Sequence, residues 1–386
     1  MMNRADTHLG NWRQPPNNRW AFNHVRELVP TARVRGARIP ARLPRRTADL
    51  SSLAVAAPDG RSMPLEEVVR LTFTDSLMVL QHGTVLCEWY AHADAMREPH
   101  VIFSISKSVT GTLAGCLSAD GLLDPEAKVA AYVPEVAESA HGDATVRHVL
   151  DMTVSLDFEE NYLDETGAFA RYRMASGWNP SPRPADLKSF FTELKRLGRP
   201  HGQRFAYQSP NSDLLGWILE RASRQPFATL LSERIWQPLG AGDAEITVDR
   251  LGAPRTAGGI CMRIEDLALF SEMMRNRGIA RGRPIVPGAW IDDIRTAGSR
   301  QAWLDGDLVH LLPAGRYRSQ WYQTGNDHDA FCAIGIHGQW IYVDPKAAMV
   351  VVKQSSQPTP VDDGLDQLTL AAFAALGQAL SASGAA

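Results

Sequence analysis

The sequence lacks the marks of a secreted, membrane-spanning or nucleotide-binding protein. Its four cysteines, at 87, 116, 261 and 332, are far apart and form no C-x-x-C pair. They read as small core residues of a reducing compartment and supply neither a zinc site nor a disulfide framework. No apolar run reaches the roughly 18 residues of a membrane span. The opening MMNRADTHLGNWRQPPNNRW has no apolar signal-peptide core, so a cytoplasmic protein is expected. A net charge of -3 gives no field that would gather nucleic acid or an anionic membrane. G-x-S-x-G, G-x-x-x-x-G-K-[ST], H-E-x-x-H and G-x-G-x-x-G are all missing. That removes the usual support for a nucleophile elbow, NTP chemistry, zinc proteolysis and dinucleotide binding. Lysine is scarce as well: of 40 basic residues only positions 107, 128, 188, 195, 346 and 353 are Lys. A lysine inside a motif therefore carries more information here.

What is present fits a large globular chain of 386 residues, 44% of them hydrophobic, enough for a substantial core. Residues 1 to 70, rich in Pro, Arg and Ala, read as an extended wrap with a short helix near 64 to 72. DSLMVLQHGTVLCEWYAH carries two β-rich runs, 76 to 81 and 84 to 90, around a His82-Gly83 turn. SKSVTGTLAGCLSADG follows as a helix closed at Asp120-Gly121. From 123 to 250 the periodicity is helical, with Thr145 as an N-cap. PADLKSFFTELKRLG reads as a helix ending at Gly198, and SDLLGWILERASRQ as another. Between 157 and 184 lies a polar, aromatic loop too long to be a plain connector. RIEDLALFSEMMRNRG is a further helix. FCAIGIHGQWIYVDPKAAMVVVKQSS reads as three strands, with a turn at Asp344-Pro345, and a final helix spans about 362 to 380.

Strands at both ends and helices between them predict an α+β fold. An antiparallel sheet is built from both chain ends and flanked by helices, with an inserted all-helical lobe. The corresponding domains are 1–120 with 251–386, and 121–250 carrying the 157–184 loop. The cleft between them is where a site is expected.

The chemistry concentrates in SISKS. Ser104 and Lys107 form the one S-x-x-K of the chain. Three residues apart on a helix, they share a face, so Oγ and the amine can meet. A serine at a helix start has a free backbone N–H in a favourable dipole. A lysine in a dry cleft has its pKa drawn down toward that of a useful base. Taken alone, the same letters equally describe a capping serine followed by a surface lysine. Ser106 has no lysine three residues on and reads as a bystander. About a hundred residues later, GQRFAYQSPNSDLLGWILE places Tyr207 in an aromatic loop entering a helix, beside Ser209 and Asn211. A tyrosine hydroxyl near a lysine can shuttle a proton; a lone tyrosine there is more commonly a packing residue. No histidine has a carboxylate at triad-like spacing. His82 and His148 read as turn or helix-surface residues, and His337 adjoins a late strand with its direction undetermined.

S-x-x-K, then Y-x-[SN], then a glycine on a late strand resemble the serine β-lactamase and penicillin-binding-protein superfamily. Within it the chain is most similar to the 6-aminohexanoate-dimer (nylon-oligomer) hydrolases, through PPNNRWAF, SISKS, VLDM, NYLD, SGW, FAYQSPN, ITVD, QWYQTGN and AIGIHGQ. The likeness runs from about residue 12 to 380. It implies a β-lactamase-like fold and a serine hydrolase. Ser104 would form an acyl-enzyme, Lys107 would help deprotonate it, and Tyr207 would act as general base and then donate to the leaving group. The N–H groups of Ser104 and Ile336 would form the oxyanion hole. Two departures stand out. The K-T-G of the wider superfamily is Ala333-Ile334-Gly335 here, which removes a carboxylate-binding lysine and argues against β-lactam hydrolysis. Ser209 replaces a common asparagine.

The resemblance also implies substrate-binding roles for Tyr162, Glu160, Trp178, Ser209, Ala257 and the position of Arg173. Tyr162 would close over substrate, and Glu160 would lie near its free amine. Arg173 stands where active nylon-oligomer enzymes carry an acid, and Ala257 where a polar residue helps, so weak activity on the linear dimer is expected. Glu160, Tyr162 and Arg173 also suit a solvated polar loop, Glu160 and Arg173 equally well. No cofactor and no metal is implied. The partners expected are a small amide or ester, with no nucleic acid and no membrane; a homodimer is compatible. The alternatives are a carboxylesterase with little amide activity, a D-amino-acid peptidase, and a non-catalytic binding protein on the same fold.

Overall fold

A computed structural model describes residues 4–383. Its main element is a seven-stranded antiparallel sheet. In spatial order the strands are Arg316–Arg318, Trp321–Gln323, Phe331–Gly335, Gln339–Asp344, Met349–Ser355, Thr74–Gln81 and Thr84–Tyr90. The expected α+β sheet from both chain ends is therefore found. The hairpin turns at His82-Gly83, with His82 in the left-handed region (φ 49°). Strands Thr74–Gln81 and Met349–Ser355 are buried along their whole length because both faces are covered. Met78, Leu80, Val350 and Val352 join the core that holds Leu267, Phe270 and Met274 of helix Ile264–Arg275. Leu77, Val79, Met349 and Val351 face the other way, into the core that holds Phe373 and Leu376 of helix Asp363–Ser383. The two-residue period of a strand sorts consecutive apolar residues between two cores.

A second sheet, of four strands, was not anticipated. Its order is Thr31–Val34, Ala244–Thr247, Ile260–Met262, His100–Val101, and every pairing is antiparallel. Thus part of the extended N-terminal wrap is a strand, and so is a short piece just before residue 250.

Helix Ile105–Ala119 is buried at every position from Ile105 to Leu117. Small residues allow that: a Cβ on Gly111 would stand 2.3 Å from the Ser319 carbonyl oxygen, so only glycine lets the helix lie this close to its neighbour. Helix Ser209–Ser223 packs beside it. Thr145 caps helix Val146–Leu150 in a reciprocal capping box with His148.

Two expectations need correction. The helix read as running to Gly198 is Leu187–Glu193. Its apolar period continues into Leu194 and Leu197, but from Leu194 on the backbone bonds distant segments: the amides of Ala140 and Asp157 donate to the carbonyls of Leu194 and Lys195 (2.9 Å each), and the Leu197 amide donates to the Ser155 carbonyl (3.2 Å). The 157–184 stretch is not all loop. It contains helix Ala168–Ala175, which buries Phe169 and Tyr172 three residues apart. Among the described residues no helix is long and apolar enough to cross a membrane.

Candidate active site

The chain leaves strand His100–Val101, turns at Phe103 and enters helix Ile105–Ala119 at Ser104. Phe103 is in the left-handed region (φ 43°), a costly conformation for an aromatic residue that its surroundings must enforce. Those surroundings are aromatic. Phe103 stacks on Trp12 at 6.4 Å and meets Phe22 and Trp178 edge-on at 4.8 and 5.9 Å. The N-terminal wrap thus clamps the residue before Ser104.

Lys107, one helical turn on, is buried. Its Nζ donates to Ser104 Oγ (2.9 Å) and to the Ala257 carbonyl (2.7 Å). Burial lowers its pKa to about 8; Arg255 adds to the lowering, while Glu160 and Asp213 oppose it. Ser106 is turned elsewhere, its Oγ accepting from the Ile260 amide (3.1 Å).

Tyr207 lies just ahead of helix Ser209–Ser223. The amides of Phe205, Ala206 and Tyr207 bond Ala302 O, Met152 O and Asp307 Oδ2 at 2.8, 2.9 and 3.0 Å, which pins the loop on both sides. The Tyr207 ring lies 4.9 Å from Lys107 Nζ, measured to its centroid. Burial and the charge of Glu160 push its phenol far above the ordinary range, while neighbouring Ser104 and Tyr322 pull the other way. The resting side chain is therefore a phenol.

Strand Phe331–Gly335 closes the site opposite. A Cβ on Gly335 would stand 2.8 Å from the Ile102 carbonyl oxygen, so glycine allows the strand end to reach the Ser104 turn. Ile336 follows, and it lines one pocket with Ser104, of about 470 Å³. Neither the Ser104 nor the Ile336 amide donates to a backbone carbonyl among the described residues, so both remain available to a ligand. His337 also lines the pocket but is buried; it bonds the Gln357 carbonyl through Nδ1 (2.7 Å) and packs on Phe22 and Phe103. Burial lowers its pKa to about 4.

The structure places the remaining candidates differently from one another. Glu160 accepts from the Ser209 amide and hydroxyl (2.5 and 2.6 Å) and from the Tyr162 hydroxyl (2.8 Å). Its carboxylate caps the N-terminus of helix Ser209–Ser223, where free amides and the dipole favour an anion. Glu160, Tyr162 and Ser209 are thus one bonded cluster that also lines the pocket. Trp178 is buried, with its indole donating to Thr247 Oγ1 (3.0 Å). Ala257 adds its carbonyl to Lys107. Arg173 lines the pocket and donates to the carbonyls of Tyr162 (3.2 Å) and Asp164 (2.8 Å).

Asp213 and Arg255, which carry no recognisable motif, prove central. Asp213 accepts from the Ala257 amide (2.5 Å), from Arg255 and from the Tyr172 hydroxyl. This buried carboxylate fixes the 255–257 segment, whose carbonyl orients Lys107. Arg13 was missed as well: it reaches the Trp178 carbonyl (3.1 Å) across 165 residues.

The model of the beta-lactamase family matches residues 72–376. The chain belongs to that family. Among its beta-lactamase-family relatives is the 6-aminohexanoate-dimer hydrolase of Paenarthrobacter ureafaciens, 38% identical over 355 residues, or 91% of this chain and 88% of that one. A Bacillus anthracis structure, provisionally named a 6-aminohexanoate-dimer hydrolase, superposes with a TM-score of 0.90 at 25% identity over 98% of both chains. The octameric penicillin-binding-protein homologue of Pyrococcus abyssi shares the fold, with a TM-score of 0.61 at 18% identity over 80% of this chain and 76% of that one.

Proposed function

We propose that this beta-lactamase-family protein is a serine hydrolase of small linear amides, of the 6-aminohexanoate-dimer type, and of carboxylic esters. The observation that carries it is the 2.9 Å contact between a buried Lys107 amine and the Oγ of Ser104, which lines a pocket. The likeness to the 6-aminohexanoate-dimer hydrolase of Paenarthrobacter ureafaciens supports the amide class.

With its pKa lowered to about 8, Lys107 is in part a neutral amine at neutral pH and takes the Ser104 proton as Oγ attacks the carbonyl. The oxyanion is received by the Ser104 and Ile336 amides. The raised pKa of Tyr207 suits it to give its proton to the leaving amine or alcohol and recover one from Lys107, rather than to rest as a base. Water then enters by the reverse path and frees the acid.

A second reading, a carboxylesterase with little amide activity, is favoured by Arg173. An arginine on the pocket wall repels an ammonium-bearing substrate. The bonded cluster around Glu160 leaves that carboxylate less free to offset it. The test is a panel of 4-nitrophenyl esters beside linear and cyclic amide oligomers, run on wild type and Ser104→Ala. Turnover of both classes by wild type alone supports the proposal, and esters alone select the second reading. Equal turnover by Ser104→Ala overturns both.

A further inference from the structure

Two arginines in this pocket lack counter-charges. Arg13 donates to the Trp178 carbonyl (3.1 Å) and to Asn179 Oδ1 (2.5 Å), with its guanidinium over the rings of Trp12 (4.9 Å) and Trp178 (5.9 Å). Arg173 donates only to backbone carbonyls and lies over Phe169 at 5.1 Å. Its Nε is buried without an acceptor. Among the described residues neither arginine has a carboxylate within ion-pair distance, whereas Arg255 in the same pocket is matched by Asp213.

One turn holds the two together. The Trp178 and Asn179 amides bond the Arg173 carbonyl (2.9 and 3.2 Å), and Arg13 bonds the other side of the same two residues. Burial, then repulsion from Arg173 and Arg255, lowers the Arg13 pKa to about 9. The acids nearby offset the pair only in part. Glu165 and Asp164 act on Arg173 against its burial, but Glu165 is exposed on the pocket rim and Asp164 accepts from the Thr166 and Gly167 amides. Glu160 is held by Ser209 and Tyr162.

We propose that this pocket selects substrates whose acyl group ends in a carboxylate, received by Arg13 and Arg173. The proposal rests on the reading of Ser104 as nucleophile. Guanidinium N–H groups on aromatic walls suit a carboxylate, and such charge-assisted bonds are strong where water is thin. The substrate class is the monoester or monoamide of a linear dicarboxylic acid. Oγ bonds the acyl carbon, the C–O or C–N bond breaks, and the alcohol or amine leaves with the proton. Water then releases the diacid and restores Ser104.

The experiment compares kcat/KM for 4-nitrophenyl hydrogen adipate and 4-nitrophenyl hexanoate, which differ by the anion at the far end of the acyl group. Wild type should prefer the anion by about tenfold. That preference should shrink as NaCl rises from 50 to 500 mM and fall toward unity in Arg13→Gln/Arg173→Gln. No preference, or one insensitive to salt and to the double variant, overturns the proposal. Ser104→Ala separates the two levels: if it keeps turnover the nucleophile reading is wrong. If it loses turnover while wild type shows no preference, only the carboxylate inference is wrong.

Discussion

The floor and the wall of the pocket are built in opposite ways. The floor is Ser104, Lys107 and the carbonyl of Ala257, held by buried bonds on a helix enclosed along its length. Its environment is over-determined: an aromatic clamp on Phe103, a carboxylate behind Ala257, and a glycine opposite. The wall is the 157–184 stretch. There charged and aromatic side chains hang on turns and one eight-residue helix, and Arg173, with Arg13 docked on the stretch from the N-terminal segment, bonds backbone carbonyls and an amide side chain instead of acids. The contrast suggests that reaction type is set by the floor and substrate choice by the wall. Changes on the floor should therefore remove activity on every substrate, and changes on the wall should reorder substrates.

The largest effect is expected on the floor. Ser104→Ala should lower kcat by about a thousandfold or more on esters and amides alike, measured by product release. A loss confined to one substrate class breaks the comparison. Behind the floor, Asp213→Ala leaves Arg255 buried without its partner and should cost about 3–5 kcal/mol of stability, read by urea unfolding. Its residual activity should fall on all substrates together, because the 255–257 segment orients Lys107. Next comes pH. Only neutral Lys107 can accept the Ser104 proton, so kcat/KM on a neutral ester should fall about tenfold per unit below about pH 8. A profile flat from pH 5 to 10 contradicts the role of Lys107.

The wall should respond more gently and selectively. Arg173→Asp replaces a cation with an anion facing substrate and should raise activity on the 6-aminohexanoate dimer several-fold relative to a neutral ester. An unchanged ratio sinks the account of the wall. Smallest of all, Tyr162→Phe removes one hydrogen bond to Glu160 and should cost about 1 kcal/mol, read as a lowered unfolding midpoint.

The same division explains what the sequence made legible. The 74–90 hairpin and the three C-terminal strands announce themselves through local alternation and turns. S-x-x-K is local too, and FAYQSPN flags Tyr207 by its place before a helix. The second sheet escaped because its strands have two to four residues, and Thr31–Val34 pairs with a strand more than two hundred positions away. The helix at 187 was drawn too long because its apolar period outlasts its hydrogen bonds. Asp213 looks like an ordinary residue of an amphipathic helix; its four donors come from residues 172, 255, 256 and 257, which no spacing rule connects to it. Glu160 suits either a place near a substrate amine or a solvated loop by sequence; its bonds to Ser209, which cap helix Ser209–Ser223, come from a residue 49 positions away.

The central claim is that Ser104 takes the acyl group, and intact-mass spectrometry with peptide mapping tests it most directly. Wild type treated with a fluorophosphonate should gain one adduct, mapped to Ser104, and Lys107→Ala should gain it far more slowly. An adduct mapped to Ser106 or elsewhere, or none, contradicts the account.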